Sequence, residues 1–247
     1  MKIAMVGATK GIGRALARVL AARGDALFLL GRDAGDLAAA SRDLALRSPA
    51  RSKPPPHALL DLEKPESFAA ALDAAERGLD GLDALIVSAG LFASQEQLES
   101  DAILRRRVLD VDFARTVELL ELGRERLLAR GGGRLMAISS VSGDRGRKPV
   151  VLYGAAKAGL SAYLEGLDHR FHESGLRVID VKPGFIRTGM TSGMAEPPFA
   201  ADPEEIAPGI VRALDGGTPV VYVPGIWRFV MLAIRLLPRA VMRRAGF

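Results

Sequence analysis

Tyr153 and Lys157 stand four residues apart in Tyr153-Gly154-Ala155-Ala156-Lys157, which puts a phenol and an ammonium on one face of a helix. A phenol with an ordinary pKa near 10 is a poor base at neutral pH. A neighbouring cation favours the phenolate, so Lys157 is expected to lower that pKa and tune Tyr153 for proton exchange. The natural partner is an oxygen that gains charge, as a carbonyl oxygen does when hydride reaches its carbon. Taken alone, the pair is equally an exposed polar couple on a helix. Upstream, Ile138-Ser139-Ser140-Val141-Ser142-Gly143 holds three serines, and a serine hydroxyl there can orient such an oxygen and donate to its developing charge.

A second feature lies near the start of the chain. Gly7-Ala8-Thr9-Lys10-Gly11-Ile12-Gly13 separates a short apolar run, Ile3 to Val6, from Arg14 to Arg23, where apolar residues recur at helical spacing. Backbone amides at a helix N-terminus can face a pyrophosphate there without obstruction by side chains. A tight turn without ligand is the competing reading. The spacing is neither G-x-G-x-x-G nor the phosphate loop G-x-x-x-x-G-K-[ST]. After the second apolar run, Leu29-Leu30-Gly31-Arg32 ends in a cation. A carboxylate at this place receives the ribose hydroxyls of NAD, whereas a basic residue neutralises a 2′-phosphate. Arg32, with Lys10 aimed at the same corner, therefore points to NADP(H). Asp33 either touches ribose or caps the following helix.

These residues need a scaffold, and the chain reads as strand alternating with helix. Strand candidates are Ile3 to Val6, Ala26 to Leu30, Ala58 to Leu62, Ala84 to Ser88, Arg134 to Ser139, Arg177 to Val181 and Val220 to Val223. Seven strands with helical patterns between them specify an α/β fold, a single Rossmann-type domain with a doubly wound seven-stranded parallel sheet flanked by helices. The proline-rich stretch Ser48 to Pro56 cannot be helical and reads as a surface connection. Residues 1–225 are expected to form the dinucleotide-binding and catalytic domain, and 226–247 an apolar and basic tail.

Composition narrows the function classes. A chain of 247 residues, 49% hydrophobic, can bury one large core. Without cysteine it has neither a disulfide framework nor thiolate metal sites. The net charge of +5 is spread over helix faces, without the aromatic and basic interleaving of a nucleic-acid surface. His57, His169 and His172 show no metal-ligand grouping, so no metal is expected. The N-terminus runs straight into the glycine turn and leaves no room for a signal sequence, which suits a cytoplasmic protein.

The glycine spacing G-x-x-x-G-x-G, the Tyr153/Lys157 pair and a serine thirteen residues before the tyrosine occur together in order. The chain thus resembles the short-chain dehydrogenase/reductase family from Met1 to about Val223. That resemblance implies a hydride transfer between nicotinamide and a small-molecule carbonyl or alcohol, with Ser140 at the substrate oxygen and Tyr153 as acid/base. It implies that Lys157 also binds the nicotinamide ribose, and it leaves Ser139 and Ser142 to structural roles. It places the adenine against Asp61 and Leu62, whose other reading is a turn leading into a helix. Ser88-Ala89-Gly90 stands where the family has Asn-Ala-Gly, which weakens one hydrogen bond but keeps the backbone close to the cofactor. In Lys182-Pro183-Gly184-Phe185-Ile186-Arg187-Thr188 it implies that Pro183, Gly184, Ile186 and Thr188 embrace the nicotinamide amide, with 189–200 as a covering loop. The family's middle-helix Asn, whose main-chain carbonyl holds a water in a proton relay, is replaced by Asp112, which can preserve that role and so stands as a catalytic candidate; burial and Lys157 push the pKa of its carboxylate in opposite directions. Homodimers or homotetramers are also implied. With Ser88 and Asp112 departing from the family pattern, a cofactor sensor without catalysis is the alternative.

The tail, Ile226 to Phe247, is apolar but punctuated by arginine, too interrupted to span a bilayer. It reads as an interfacial amphipathic helix at the inner membrane face, as a contact with a partner subunit, or as a cover on the substrate pocket. Together with Val221-Tyr222-Val223-Pro224 it resembles the reductase subunits of the decaprenylphosphoryl-ribose 2-epimerase type, two-enzyme systems acting on a keto-sugar carried by a membrane polyprenol.

Overall fold

Apolar runs become strands and the amphipathic stretches between them become helices in a computed structural model that describes residues 1–49, 53–244 and 246. Residues 50–52 of the proline-rich connection, and 245 and 247 of the tail, lie outside the described residues. The strands are β1 (Lys2–Val6), β2 (Ala26–Gly31), β3 (His57–Leu59), β4 (Ala84–Val87), β5 (Gly133–Ile138), β6 (Leu176–Pro183) and β7 (Val220–Val223). All pair in parallel, in the order β3-β2-β1-β4-β5-β6-β7. The helices are α1 (Gly11–Arg23), α2 (Ala34–Arg47), α3 (Phe68–Leu79), α4 (Gln95–Ser100), α5 (Ala102–Leu109), α6 (Arg115–Ala129), α7 (Val151–Phe171), α8 (Pro203–Gly216), α9 (Trp227–Leu236) and α10 (Arg239–Arg244).

Alternate strand residues face opposite layers. Ile3, Met5, Leu27 and Leu29 pack with Leu16 and Leu20 of α1, Leu37 of α2 and Ile210 of α8. Ala4, Val6, Phe28 and Leu30 pack with Leu72 of α3, Leu119 of α6 and Leu160 of α7. With both faces covered, each buried Leu or Ile contributes about 1.5–3 kcal/mol, and a one-residue slip would exchange the two layers and is excluded. Strand order reverses between β1 and β4, and the crevice at their carboxyl ends is where this architecture binds ligands.

Three expectations are corrected. β3 ends at Leu59 rather than Leu62, because Asp61 Oδ1 accepts from Glu63 N at 3.0 Å and turns the chain. α1 begins at Gly11, not Arg14, so two glycines of the turn lie inside its first turn. The tail is two short helices separated by Pro238, which lacks the donor needed to continue. No helix among the described residues is long and apolar enough to cross a membrane.

Candidate active site

The glycine turn follows β1. Gly7 and Gly11 have φ of +90° and +51°, a region that costs a side-chain-bearing residue free energy. A Cβ on Gly13 would fall 2.1 Å from the Gly7 carbonyl oxygen and 2.3 Å from Ser88 Oγ, so backbone meets backbone here. Ser88 Oγ lies 3.0 Å from Val6 O and 3.2 Å from Gly7 O, and donates its single hydrogen across this pair. The serine thereby ties the end of β4 to the glycine turn. At the end of β2, Arg32 is exposed, while Lys10 Nζ is 2.8 Å from Asp36 Oδ2. Asp33 Oδ1 accepts from Asp36 N at 2.7 Å, which makes it the cap of α2. Of the two basic residues, Arg32 is the one with no ion pair among the described residues.

At the far end of the crevice, β5 delivers the serines and α7 the tyrosine and lysine. Ser139 Oγ donates to Asp180 Oδ1 in the sheet interior. Ser140 Oγ instead accepts from Ser142 N at 3.0 Å and lines the same cavity as Tyr153. Gly154 lets α7 approach this turn, since a Cβ there would sit 2.8 Å from Ser142 O. Lys157 Nζ is 5.7 Å from the Tyr153 ring centre, 3.2 Å from Ile138 O and 3.3 Å from Asp112 Oδ1. Asp112 sits on a π-helical turn, Asp110–Ala114, between α5 and α6, a distortion often found at functional sites. Its Oδ1 also accepts from Leu91 N at 3.0 Å, while its Oδ2 is buried without a partner.

The electrostatics depart from the expected tuning of Tyr153. Burial pushes its phenol above the usual value; Lys157 pulls down and Asp112 pushes further up, and the net direction is up. The lysine does not lower the phenol's pKa overall, because its charge is shared with a carboxylate and desolvation is the larger effect. Burial also works against the Lys157 ammonium, but Asp112 and Tyr153 outweigh it and hold the proton on. Burial raises Asp112 against the pull of Lys157 and of the Leu91 N–H.

Every catalytic and cofactor-binding candidate from the sequence lines one cavity of about 620 Å³, within the usual size range of ligand pockets. It runs from Arg32, Asp61 and Leu62 past Gly7–Gly13 and Ser88–Gly90 to Ser140, Tyr153 and Lys157, with Pro183, Gly184, Ile186 and Thr188 opposite. Ile186 pairs with Ala201 in a β-bridge, and Thr188 approaches Gly11, where a Cβ would meet its methyl at 3.3 Å. Phe92 and Arg147 are among the lining residues that the sequence reading did not name. Phe92 stands edge-on to Tyr153 with ring centres 5.1 Å apart. Arg147 enters from the segment before α7, with nothing in its type or spacing to mark it, and Trp227 enters from the tail, which agrees with the reading of that segment as a cover on the pocket. Trp227 and Met231 pack against Val141.

The model of the short chain dehydrogenase family matches residues 2–198. An uncharacterized oxidoreductase of Mycobacterium tuberculosis is 34% identical over 98% of this chain and 96% of its own length. Cis-4-hydroxycyclohexanecarboxylate dehydrogenase of Sinomonas cyclohexanicum is 30% identical over 89% of this chain and 97% of its own. Among solved structures, a short-chain type dehydrogenase/reductase from Mycobacterium ulcerans superposes with a TM-score of 0.80 at 21% identity, covering 90% and 87% of the two chains.

Proposed function

The chain belongs to the short-chain dehydrogenase/reductase family, and from that premise we propose that it is an NADP(H)-dependent oxidoreductase acting on a carbonyl/alcohol pair, with Tyr153 as its acid/base. The carrying observation is the meeting of the Ser140 hydroxyl, Tyr153 and Lys157 in one cavity. The bare backbone of Gly7, Gly11 and Gly13 fits a dinucleotide phosphate, and Arg32 fits a 2′-phosphate. Ser88, Ala89, Gly90 and the Pro183–Thr188 turn complete the cofactor wall. When bound, the nicotinamide supplies or accepts the hydride.

The chain's own groups handle the proton. Ser140 Oγ already accepts from Ser142 N, which leaves its hydrogen for the substrate oxygen. Tyr153 passes its proton to that oxygen as charge develops. Lys157, held protonated, stabilises the phenolate left behind. A phenol is protonated at neutral pH even at its ordinary pKa, and burial pushes Tyr153 further in that direction, so the resting site is prepared for reduction. The hydroxy acid named for the Sinomonas relative supports a secondary alcohol or ketone as substrate.

NADPH is expected to bind at least about tenfold more tightly than NADH, since a charge-assisted contact contributes roughly 1.5–3 kcal/mol. Tyr153→Phe is expected to lower turnover by about 10²–10⁴-fold with cofactor affinity unchanged. Full turnover by this variant rejects the assignment.

The tail supports a second reading, peripheral contact with an anionic membrane surface. Phe229, Leu232 and Leu236 are exposed on α9 beside Arg228, Arg235 and Arg239. Sedimentation with phosphatidylglycerol vesicles, lost on removing residues 226–247, is the expected result; sedimentation of the truncated chain eliminates this role. Assembly into homodimers or homotetramers is proposed from family membership alone and is read by light scattering.

A further inference from the structure

One charged group in the cavity is unused by this chemistry. Arg147 lies between β5 and α7 and lines the cavity wall. Its Nη2 donates to Ser142 Oγ at 3.0 Å, and Ser142 N donates to Ser140 Oγ at 3.0 Å. The cation therefore stands two hydrogen bonds from the reacting cluster. Its Nε is buried and has no acceptor.

No carboxylate among the described residues lies within ion-pair distance of this guanidinium. Asp144, the acid whose charge acts on it, is already engaged by Lys182 Nζ at 2.6 Å and Tyr222 Oη at 2.7 Å. Asp112, on the same cavity, is paired with Lys157. The loops after β4 and β6 and the tail contribute Phe92, Phe185, Met190, Met194 and Trp227, which offer it no charge. Withdrawing part of a cation from water without an acid beside it costs free energy that its one side-chain hydrogen bond, to Ser142, does not fully offset. A bound anion recovers it, and a guanidinium holds carboxylate or phosphate through paired N–H donors.

Resting on the oxidoreductase reading of the same cavity, we propose that Arg147 binds an oxyanion carried by the substrate, so that the preferred substrates are ketones or alcohols bearing a carboxylate or phosphate ester. Ser142 positions the guanidinium, and the apolar wall receives the carbon skeleton between anion and carbonyl.

Two measurements test this. In the first, benzoate, phenyl phosphate and neutral benzamide are titrated into the protein, alone and saturated with NADP+. One or both anions are expected to bind about 10- to 100-fold more tightly than benzamide, and which one does so distinguishes carboxylate from phosphate. Arg147→Met is expected to abolish that difference and Arg147→Lys to retain part of it, with benzamide and NADPH affinities unchanged. Anions that bind no better than benzamide, an Arg147→Met protein with wild-type anion affinity, or a loss of NADPH affinity instead, overturns the proposal. In the second, NADPH consumption is followed with 4-oxopentanoate against its methyl ester and dihydroxyacetone phosphate against dihydroxyacetone. Arg147-dependent anion binding without reduction of any ketone upholds the subsite and rejects the oxidoreductase reading. Reduction with no preference for the anionic member of either pair rejects the subsite and leaves that reading intact.

Discussion

Lys157 Nζ stands 3.3 Å from Asp112 Oδ1, so the ammonium beside the candidate acid is divided between a phenol and a buried carboxylate. Asp112 pushes the Tyr153 pKa up and Lys157 pulls it down. Asp112→Asn removes the first effect and, over the pH range in which Lys157 keeps its proton, leaves the second, so the phenol's pKa is expected to fall there. Reduction needs the protonated phenol and is lost as pH rises through that pKa, so its alkaline limb moves to lower pH; the rising limb of oxidation moves the same way. Turnover at pH 7 changes by less than about tenfold, well short of the roughly 10²–10⁴-fold expected when an acid/base is lost. Rate profiles in both directions read this, and an unmoved limb contradicts the assigned coupling.

Gly13→Ala is expected to disturb the cofactor end selectively. Its Cβ would meet the Gly7 carbonyl and Ser88 Oγ at 2.1 and 2.3 Å, and backbone must shift to admit it. Overpacking of this kind costs about 1–3 kcal/mol, read as NADPH affinity weakened about 5- to 150-fold with a lower Tm. Gly166→Ala, inside α7 with nothing near its Cβ, is the control: helix propensity predicts up to about 1 kcal/mol of stabilisation and unchanged NADPH binding.

Gly184→Ala tests the contact between the sheet and the tail. A Cβ there would lie 2.0 Å from Trp227 Nε1, so the indole must leave its place against Val141. Trp227 is the single tryptophan and is nearly buried, at 8% exposure. Its fluorescence is expected to shift to longer wavelength, and KM for the substrate to rise. An unchanged emission spectrum means that α9 does not hold the cavity wall in solution.

The chain's three tyrosines are all pushed upward by burial. Tyr222, which donates to Asp144 at 2.7 Å, is pushed up to about 12. Folded protein at pH 10 is therefore expected to show little phenolate absorbance, whereas the unfolded chain is about half ionised. A group whose folded pKa lies above its unfolded value stabilises fully below the unfolded value and loses that contribution as pH climbs through the folded one. For Tyr222 the window runs from about 10 to about 12. Tyr222→Phe is expected to show a smaller fall in urea midpoint across that window than wild type.

Much of the frame was legible because it depends on local periodicity. Apolar alternation and the glycine turn announce a strand entering a helix, and the parallel order follows from helices between consecutive strands. The end of β3 was misread since Leu60 and Leu62 are indeed buried, yet an aspartate side chain turns the backbone between them. Ser140 could be preferred over Ser139 only by resemblance, until Asp180 on the neighbouring strand was seen to engage the latter.

The sequence by itself determined the residue types and their order: bare backbone where phosphate can approach, a cation after β2, a serine, a phenol and an ammonium at set intervals. These are properties of short segments, carried by the chain wherever it folds. Only the tertiary structure decided how the charges divide. Whether Lys157 serves Tyr153 alone, whether Arg147 finds an acid, and whether Trp227 joins the cavity depend on which segments meet and how much water they exclude. Desolvation and Coulomb interaction act through space, across separations that the order of residues does not encode.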